Sequence, residues 1–594
     1  MLAVMDPIVT IVMPATAEAE TARVGMRSRY RVPIMASSRS GWAPPVYSLA
    51  LSVLVLGPLL GPGYLLLRDA VSTPRSYFTE SALGIGDAAA RAVPQDALLA
   101  AVSTVVDGGI VVKVILLLAL SMVGWGAAQL AHTLLPTART PALLVASTVA
   151  IWNPYVAERL LQGHWSLLVG YAALPWTVVA VVTLRRTGRW AWLAVCFAAA
   201  GLTPTGAILA VVCGFAACAC VVPARRNYAL TGAIALAASA PWLVATAMSG
   251  SGATGTDPTG VAAFAARAEP GLGTLGSLAG LGGIWNSDAV PATRTSLFAL
   301  LGTALLLVVI AGGLVPLWRR RRNRVIVALA VLAAVAVVGP ALGATGPGIE
   351  LGEWASAEVP GAGLLRDAQK WVALAMPFYA LAAAAGVMWA GARLRTAWLP
   401  ALAAMLAVVI ALPDLGWGVG GQLKPVDYPS GWAAVAETLD GEQGDVAVLP
   451  AGMFRIFPYS GDAPVLDPAP RLLPLDVLQT GELLVAGGSV RGEGTRAETV
   501  EQVLLTGGSA TQLAALGVGW VLLERTTPGE MGDSGRTLQQ LEQIFEDDDL
   551  ALYRVPGDIP DERASALPVL LAHLVWAVLL VGGLGLAIGR RHKP

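Results

Sequence analysis

Twelve long apolar runs recur along this chain of 594 residues, and that repetition constrains its fold more than any single motif. A hydrocarbon core of ~30 Å needs about 20 consecutive apolar residues per crossing helix. The runs start near Val46, Gly109, Pro141, Trp165, Trp190, Thr205, Tyr228, Thr295, Val325, Trp371, Ala397 and Ala566. Only 13% of the residues are charged, where a soluble domain carries about 25%. The chain is therefore read as a polytopic membrane protein, an all-α bundle of about twelve membrane-crossing helices. The fifth and sixth runs are short and meet at Thr203-Pro204-Thr205-Gly206, a tight hairpin or one broken helix. The third is also short and ends at Trp152-Asn153-Pro154.

Arginine clusters fall on every second connection. They occur at 23–39, at Arg139, at Arg185, Arg186 and Arg189, at Arg225 and Arg226, at 319–324, at Arg393 and Arg395, and at Arg590 and Arg591. With twelve spans, the positive-inside bias puts all seven on the cytoplasmic side. Merging the hairpin at Thr203 would break that alternation. Four parts are expected. Residues 1–45 form a disordered cytoplasmic tail, with Met26 or Met35 as alternative starts. Residues 46–413 form a transmembrane module of about eleven helices. Residues 414–565 form an extracytoplasmic α/β domain, and residues 566–594 hold the last helix and a basic cytoplasmic tail. The first run is too long, with eleven more behind it, for a cleaved signal peptide. The expected location is the plasma membrane, with both termini cytoplasmic.

Charge is segregated. The net charge is -1, so no basic field draws in nucleic acid. By contrast, 24 of the 40 acidic residues lie between Asp414 and Glu562. Periodicity there predicts helices at 431–438, 497–505, 510–516 and 537–545, and strands at 445–449, 518–523 and 550–554. The run Glu546-Asp547-Asp548-Asp549 reads as a solvated turn, because it lacks the alternating ligands and Gly bend of a calcium loop. Cys196, Cys213, Cys218 and Cys220 sit in apolar stretches without His or carboxylate neighbours, so they read as packing residues and not as zinc ligands. The sequence has no P-loop, G-x-S-x-G or H-E-x-x-H.

What remains is a set of polar residues at the expected outer face. Glu80, Asp87, Arg91 and Asp96 share the first outer loop. An acid there suits proton abstraction from a hydroxyl, and an Arg suits a departing phosphate. Alternatively, Asp96 caps the helix from Ala97 and Asp87 binds its own turn. In the stretch 152–165, Trp, Tyr and Asn-Pro have interfacial and helix-ending explanations. Glu158, Arg159 and His164 are less easily explained. Glu158 and Arg159 cannot share a helix face, so different partners are expected. Ionisable groups near a bilayer line cavities or bind head groups. Arg366 and Lys370, four apart, are expected to share a helix face with an anion between them. They otherwise snorkel to lipid phosphates.

Four features together resemble the C-type (GT-C) membrane glycosyltransferases, most closely the actinobacterial envelope enzymes that use decaprenyl-phosphate arabinose or mannose. They are the Asp-bearing loop with Arg-Ala-Val-Pro at 91–94, the Trp-Asn-Pro-Tyr to Gly-His-Trp stretch at 152–165, Leu-Arg-Asp-Ala-Gln-Lys at 365–370, and the C-terminal domain with Leu-Gly-Val-Gly-Trp-Val-Leu at 516–522. The resemblance implies sugar transfer from a polyprenyl-phosphate donor to a cell-envelope glycan at the outer face. It implies Asp87 first and Glu80 second as the base. Arg91, Arg366 and Lys370 would meet the donor phosphate, with Glu158, Arg159, His164 and Asp96 as further cavity residues. The family often carries two adjacent acids in the first loop, and this chain has none adjacent. No cofactor is certain, and a divalent metal stays open. The exported domain would bind the acceptor, with Trp417, Trp432 and Tyr459 stacking on sugars and Trp520 in a core strand. Two other functions compete: a transporter or flippase of a lipid-linked intermediate, and a non-catalytic envelope assembly protein. The absence of a repeat between the halves argues against transport.

Overall fold

The computed structural model describes residues 39–86, 90–219, 225–248, 257–359, 361–485, 488–492, 494–560 and 565–589. Each of the twelve apolar runs forms helix. Among the described residues, eight helices are long and apolar enough to cross a membrane, or nine if the bent pair Trp398–Ala411 and Pro413–Gly421 counts as one. The runs from Pro141, Trp190 and Thr205 make helices of only 12, 10 and 16 residues. At 1.5 Å per residue the first of these is about 18 Å long, short of the ~30 Å core.

Six helices and a hairpin position the polar centre. Helix α1 (Ala43–Leu56) leads into the hairpin β1 (Leu66–Leu67) and β2 (Ala70–Val71). Helix α2 (Gly108–Leu134) follows, capped by Asp107, which accepts from the Ile110 amide. Helix α3 (Thr140–Ile151) stops at Trp152. Asn153 then caps α4 (Pro154–Leu161) by accepting from Val156 N–H, with Pro154 in the first turn. Pro is suited there because the first amides of a helix have no partner within it. A stop and a restart within two residues turn α4 away from the α3 axis. Helix α5 (Trp165–Thr187) packs on α2, and a single core runs through the bundle. Residues 368–375 form a 3-10 segment that continues into α6 (Met376–Leu394).

The C-terminal domain is built on a four-stranded sheet. Strands β3 (Asp445–Leu449) and β6 (Val518–Glu524) are parallel. β7 (Glu542–Glu546) and β8 (Leu550–Arg554) complete the order β3-β6-β8-β7 with antiparallel pairing. Helices Gly431–Leu439, Thr495–Leu505 and Ala510–Ala515 pack around it. The helix expected at 537–545 is absent. Ser534–Leu538 is helical, and Glu542–Glu546 is a strand. The acidic turn explains the difference. Asp547 Oδ1 accepts the amides of Asp549 and Leu550, closing a hairpin that overrides the helical periodicity. Trp432 is 2% exposed and Trp520 1%, so Trp432 belongs with Trp520 in the core and is no sugar platform. Tyr459 is half-buried and accepts from Trp432 Nε1. Trp417 is exposed.

The domain docks on the loop between the first two long helices. Tyr64 and Val426 exchange backbone hydrogen bonds, and Tyr428 donates to Ser72 O. A second small hairpin, β4 (Phe454–Arg455) with β5 (Val465–Leu466), reaches β1 and β2, where Leu466 N–H donates to Arg68 O at 2.7 Å. Arg455 is buried between Glu524 and Asp467 and holds this second hairpin to the sheet.

Candidate functional site

The polar centre starts at the β1–β2 turn. Arg68 sits there with φ of 48°, in the left-handed region that costs a side-chain-bearing residue strain. Its guanidinium donates to the carbonyls of Leu161 and Asp288, which fixes the turn to α4 and to the 286–289 segment. Gly163 makes the approach feasible. Its φ is 85°, and a Cβ there would collide with the backbone of Leu67 and Ala70. The turn thereby brings Asp69 against His164, 95 residues away in sequence.

Asp69 accepts from His164 Nε2 at 2.9 Å and from Gln162 Nε2 at 3.1 Å. The His164 tautomer follows from its other partner. Arg159 lies 2.9 Å from Nδ1, and a guanidinium only donates, so Nδ1 accepts and Nε2 carries the proton. Arg159 also grips Asp367 with two parallel hydrogen bonds, at 3.0 and 3.2 Å, and donates to Gln369 Oε1. Lys370 Nζ stands 3.3 Å from Asp367. The result is a continuous chain, Asp69–His164–Arg159–Asp367–Lys370.

Exposure divides this chain into a foundation and a working face. The side chains of Arg159 and Asp367 are 0% and 7% exposed, whereas Asp69, Lys370 and His164 are 34%, 22% and 18% exposed. Burial alone would raise Asp69. The His164 and Gln162 hydrogen bonds and the Lys370 charge outweigh it and hold the carboxyl below its ordinary range. Burial pushes His164 below its ordinary value, against the pull of Asp69. Burial would also raise Asp367, yet Arg159 and Lys370 hold it far down. The working face thus favours a carboxylate and a neutral imidazole, with the Lys370 side chain beside them.

The other sequence-derived residues are placed as follows. Glu158 is fully buried and accepts from the amides of Gly283 and Ile284 and from Gln369 Nε2. It reaches different partners from Arg159, and Gln369 bridges the two. Burial and nearby Glu269 push Glu158 up, although its three donors favour the carboxylate. Asp96 does not cap a helix from Ala97. The helix is Gln95–Val102, capped by Pro94, and Asp96 in its first turn pairs with Arg471 of the C-terminal domain at 3.0 and 3.1 Å. Glu80 opens the short helix Glu80–Leu83, where Asp476 accepts the amides of Glu80 and Ser81. Arg91 is exposed on the same loop. Arg366 and Lys370 do not share an α-helical face, because the 3-10 segment begins between them at Ala368. Arg366 stacks on Phe264 at 4.9 Å, while Lys370 turns to Asp367. Asp87 and Cys220 lie outside the described residues. Among the described residues, no three His, Cys, Asp or Glu side chains form a metal-holding group.

Asp69, Gln162, Asp367 and Gln369 were not singled out by the sequence. The one available signal for Asp69 was its position, an Arg-Asp pair directly beyond the Gly61-Pro62-Gly63 exit of the first span.

The long apolar helices define a multi-pass membrane protein, and its fold is similar to that of a solved glycosyltransferase. The solved structure that carries this likeness is the cryo-EM structure of arabinofuranosyltransferase AftD from Mycobacteria. The TM-score is 0.52 at 16% sequence identity, over 88% of this chain and 42% of that one. The chain thus spans less than half the length of that protein, and the likeness is one of fold. No family model matches the sequence, and no curated protein does.

Proposed function

We propose that this protein is an integral membrane glycosyltransferase that moves a sugar from a polyprenyl-phosphate donor to a cell-envelope glycan at the outer face. One observation carries the reading: a carboxylate one-third exposed, Asp69, is held below its ordinary range beside Lys370, on a buried foundation in which Arg159 and Asp367 are ion-paired. Asp69 takes the proton of the acceptor hydroxyl. That oxygen bonds to the anomeric carbon as the bond from this carbon to the donor phosphate oxygen breaks. The phosphate leaves with the bonding pair, and Lys370, with Arg366 beyond it, offsets its charge. Asp69 thereby takes the role that the resemblance implies for Asp87. The fold likeness to an arabinofuranosyltransferase supports the reaction class. With twelve crossings, the alternation of arginine clusters would favour an outward-facing site with cytoplasmic termini.

The test uses purified full-length protein in proteoliposomes supplied with a radiolabelled polyprenyl-phosphate pentose and an envelope glycan acceptor. Label should move into the glycan with release of polyprenyl phosphate, and Asp69→Ala should stop it. Intact lipid-linked sugar crossing sealed vesicles with no bond broken would replace this reading with transport.

A further inference from the structure

A second polar site lies at the same end of the bundle, outside the Asp69 chain. It is a groove of about 580 Å³ between the outer end of α2 and the 60–64 segment. Its polar wall consists of Gly61, Gly63, Tyr64, Asp107 and Lys113. Its apolar wall is Leu60, Ile110, Val114 and Leu117, and Ile110 and Val114 are about half exposed on the outside of the bundle. The groove therefore opens sideways, toward the surface that a bilayer covers.

Its charges are specific. Lys113 is buried on α2, more than one turn inside the helix start, and donates to the carbonyls of Gly61 and Gly63. An ammonium has three donors, so one N–H is left for a further acceptor. Asp107 accepts from Tyr64 O–H at 2.9 Å and from the Ile110 amide, and each of its oxygens keeps a further lone pair. Asp427, exposed on the C-terminal domain, stands beside Gly63 and acts electrostatically on both Tyr64 and Lys113. The groove thus holds one cation inside and two carboxylates around it.

We infer that this groove binds a phospholipid with a zwitterionic, hydrogen-bonding head group, of the phosphoethanolamine class. The phosphate oxygen accepts the remaining Lys113 donor, the primary ammonium meets Asp107 and Asp427, and an acyl chain follows Val114 and Leu117. Charge count decides between lipid classes. A net-anionic head group would satisfy Lys113 but bring uncompensated negative charge beside two carboxylates, with at most neutral hydroxyls to offer them. A quaternary ammonium has no N–H to donate. The inference does not depend on the glycosyltransferase reading.

Native mass spectrometry of the delipidated full-length protein tests it, with phosphatidylethanolamine, phosphatidylcholine and phosphatidylglycerol of identical acyl chains as probes. Wild type should retain phosphatidylethanolamine about tenfold better than phosphatidylglycerol, the worth of one charge-assisted hydrogen bond. Lys113→Met should lower phosphatidylethanolamine retention by a similar factor. Asp427→Asn, a surface change compatible with folding, should narrow the preference over phosphatidylglycerol. Equal retention of all three lipids by wild type would overturn the inference. So would selectivity unchanged in Asp427→Asn together with unchanged retention in Lys113→Met.

Discussion

Asp367→Asn is the most informative single change, because it separates the foundation of the polar centre from its working face. Asparagine keeps the volume of Asp367 and can still accept one of the two Arg159 hydrogen bonds, but the charge is gone. Arg159 is then left fully buried and unneutralised, with Lys370 close by. At the observed 3.0 Å, and with an effective dielectric near 20, the lost attraction is about 5 kcal/mol. Removing one partner of a buried pair costs roughly 3–5 kcal/mol by experience. Asp69→Asn is the control. Its carboxylate is 34% exposed and its His164 partner is neutral, so the stability loss should stay within about 1 kcal/mol. Unfolding free energy, measured by denaturant titration of the purified protein in mixed micelles, distinguishes the two. Asp367→Asn should also couple strongly to Arg159→Met in a double-mutant cycle. An Asp367→Asn protein within about 1 kcal/mol of wild type would refute the assignment of Arg159 and Asp367 as the buried foundation.

Further outcomes follow from the same geometry. Asp69→Asn should lower sugar transfer by about 10²–10⁴-fold with thermal stability nearly unchanged, since general-base catalysis contributes that much; a variant with full turnover would remove the base. Lys370→Met should raise the KM for the lipid-phosphate donor and leave the acceptor KM alone, as read from initial rates at varied donor. His164 is held below its ordinary value of 6.5, so between that value and the lower folded one the unfolded chain binds a proton that the native protein does not. Its contribution is complete above pH 6.5 and declines as pH falls. The thermal midpoint of wild type should therefore drop relative to His164→Gln on acidification from pH 7 to 5; parallel curves would contradict the neutral imidazole. Trp432→Ala empties part of the C-terminal core and should cost about 3–5 kcal/mol, visible as protease sensitivity confined to 414–565.

Much of this architecture was legible in local sequence. Trp152-Asn153-Pro154 announced the end of one helix, and the structure adds that Asn153 caps the next with Pro154 in its first turn. The strands at 445–449, 518–523 and 550–554 were legible from short apolar runs between turn residues, and the second runs one residue further, to Glu524. The segment 537–545 was misread, because its periodicity fits a helix while its fate was set by a turn beyond it. Hydropathy reports apolar length alone, and the helix breaks near Trp152 and Thr203 shorten what forms, so among the described residues eight or nine helices reach the length of a crossing.

The polar centre was legible only in part. Arg159, His164 and Lys370 stood out because ionisable groups beside apolar runs need an explanation. Trp432 and Trp520 have the same local look, and only packing buries both.

By itself the sequence determined the solvent of this protein and the order of its helices, since burial in hydrocarbon depends on apolar length and charge spacing, both local properties. Tertiary structure alone decided which acid meets the histidine. Asp69 has only its position beyond the first span as a local mark; its partnership arises when Gly163 admits the hairpin to His164, and when Arg159 reaches Asp367 across 208 residues. Electrostatic partnership depends on distance in space, and chain position does not encode it.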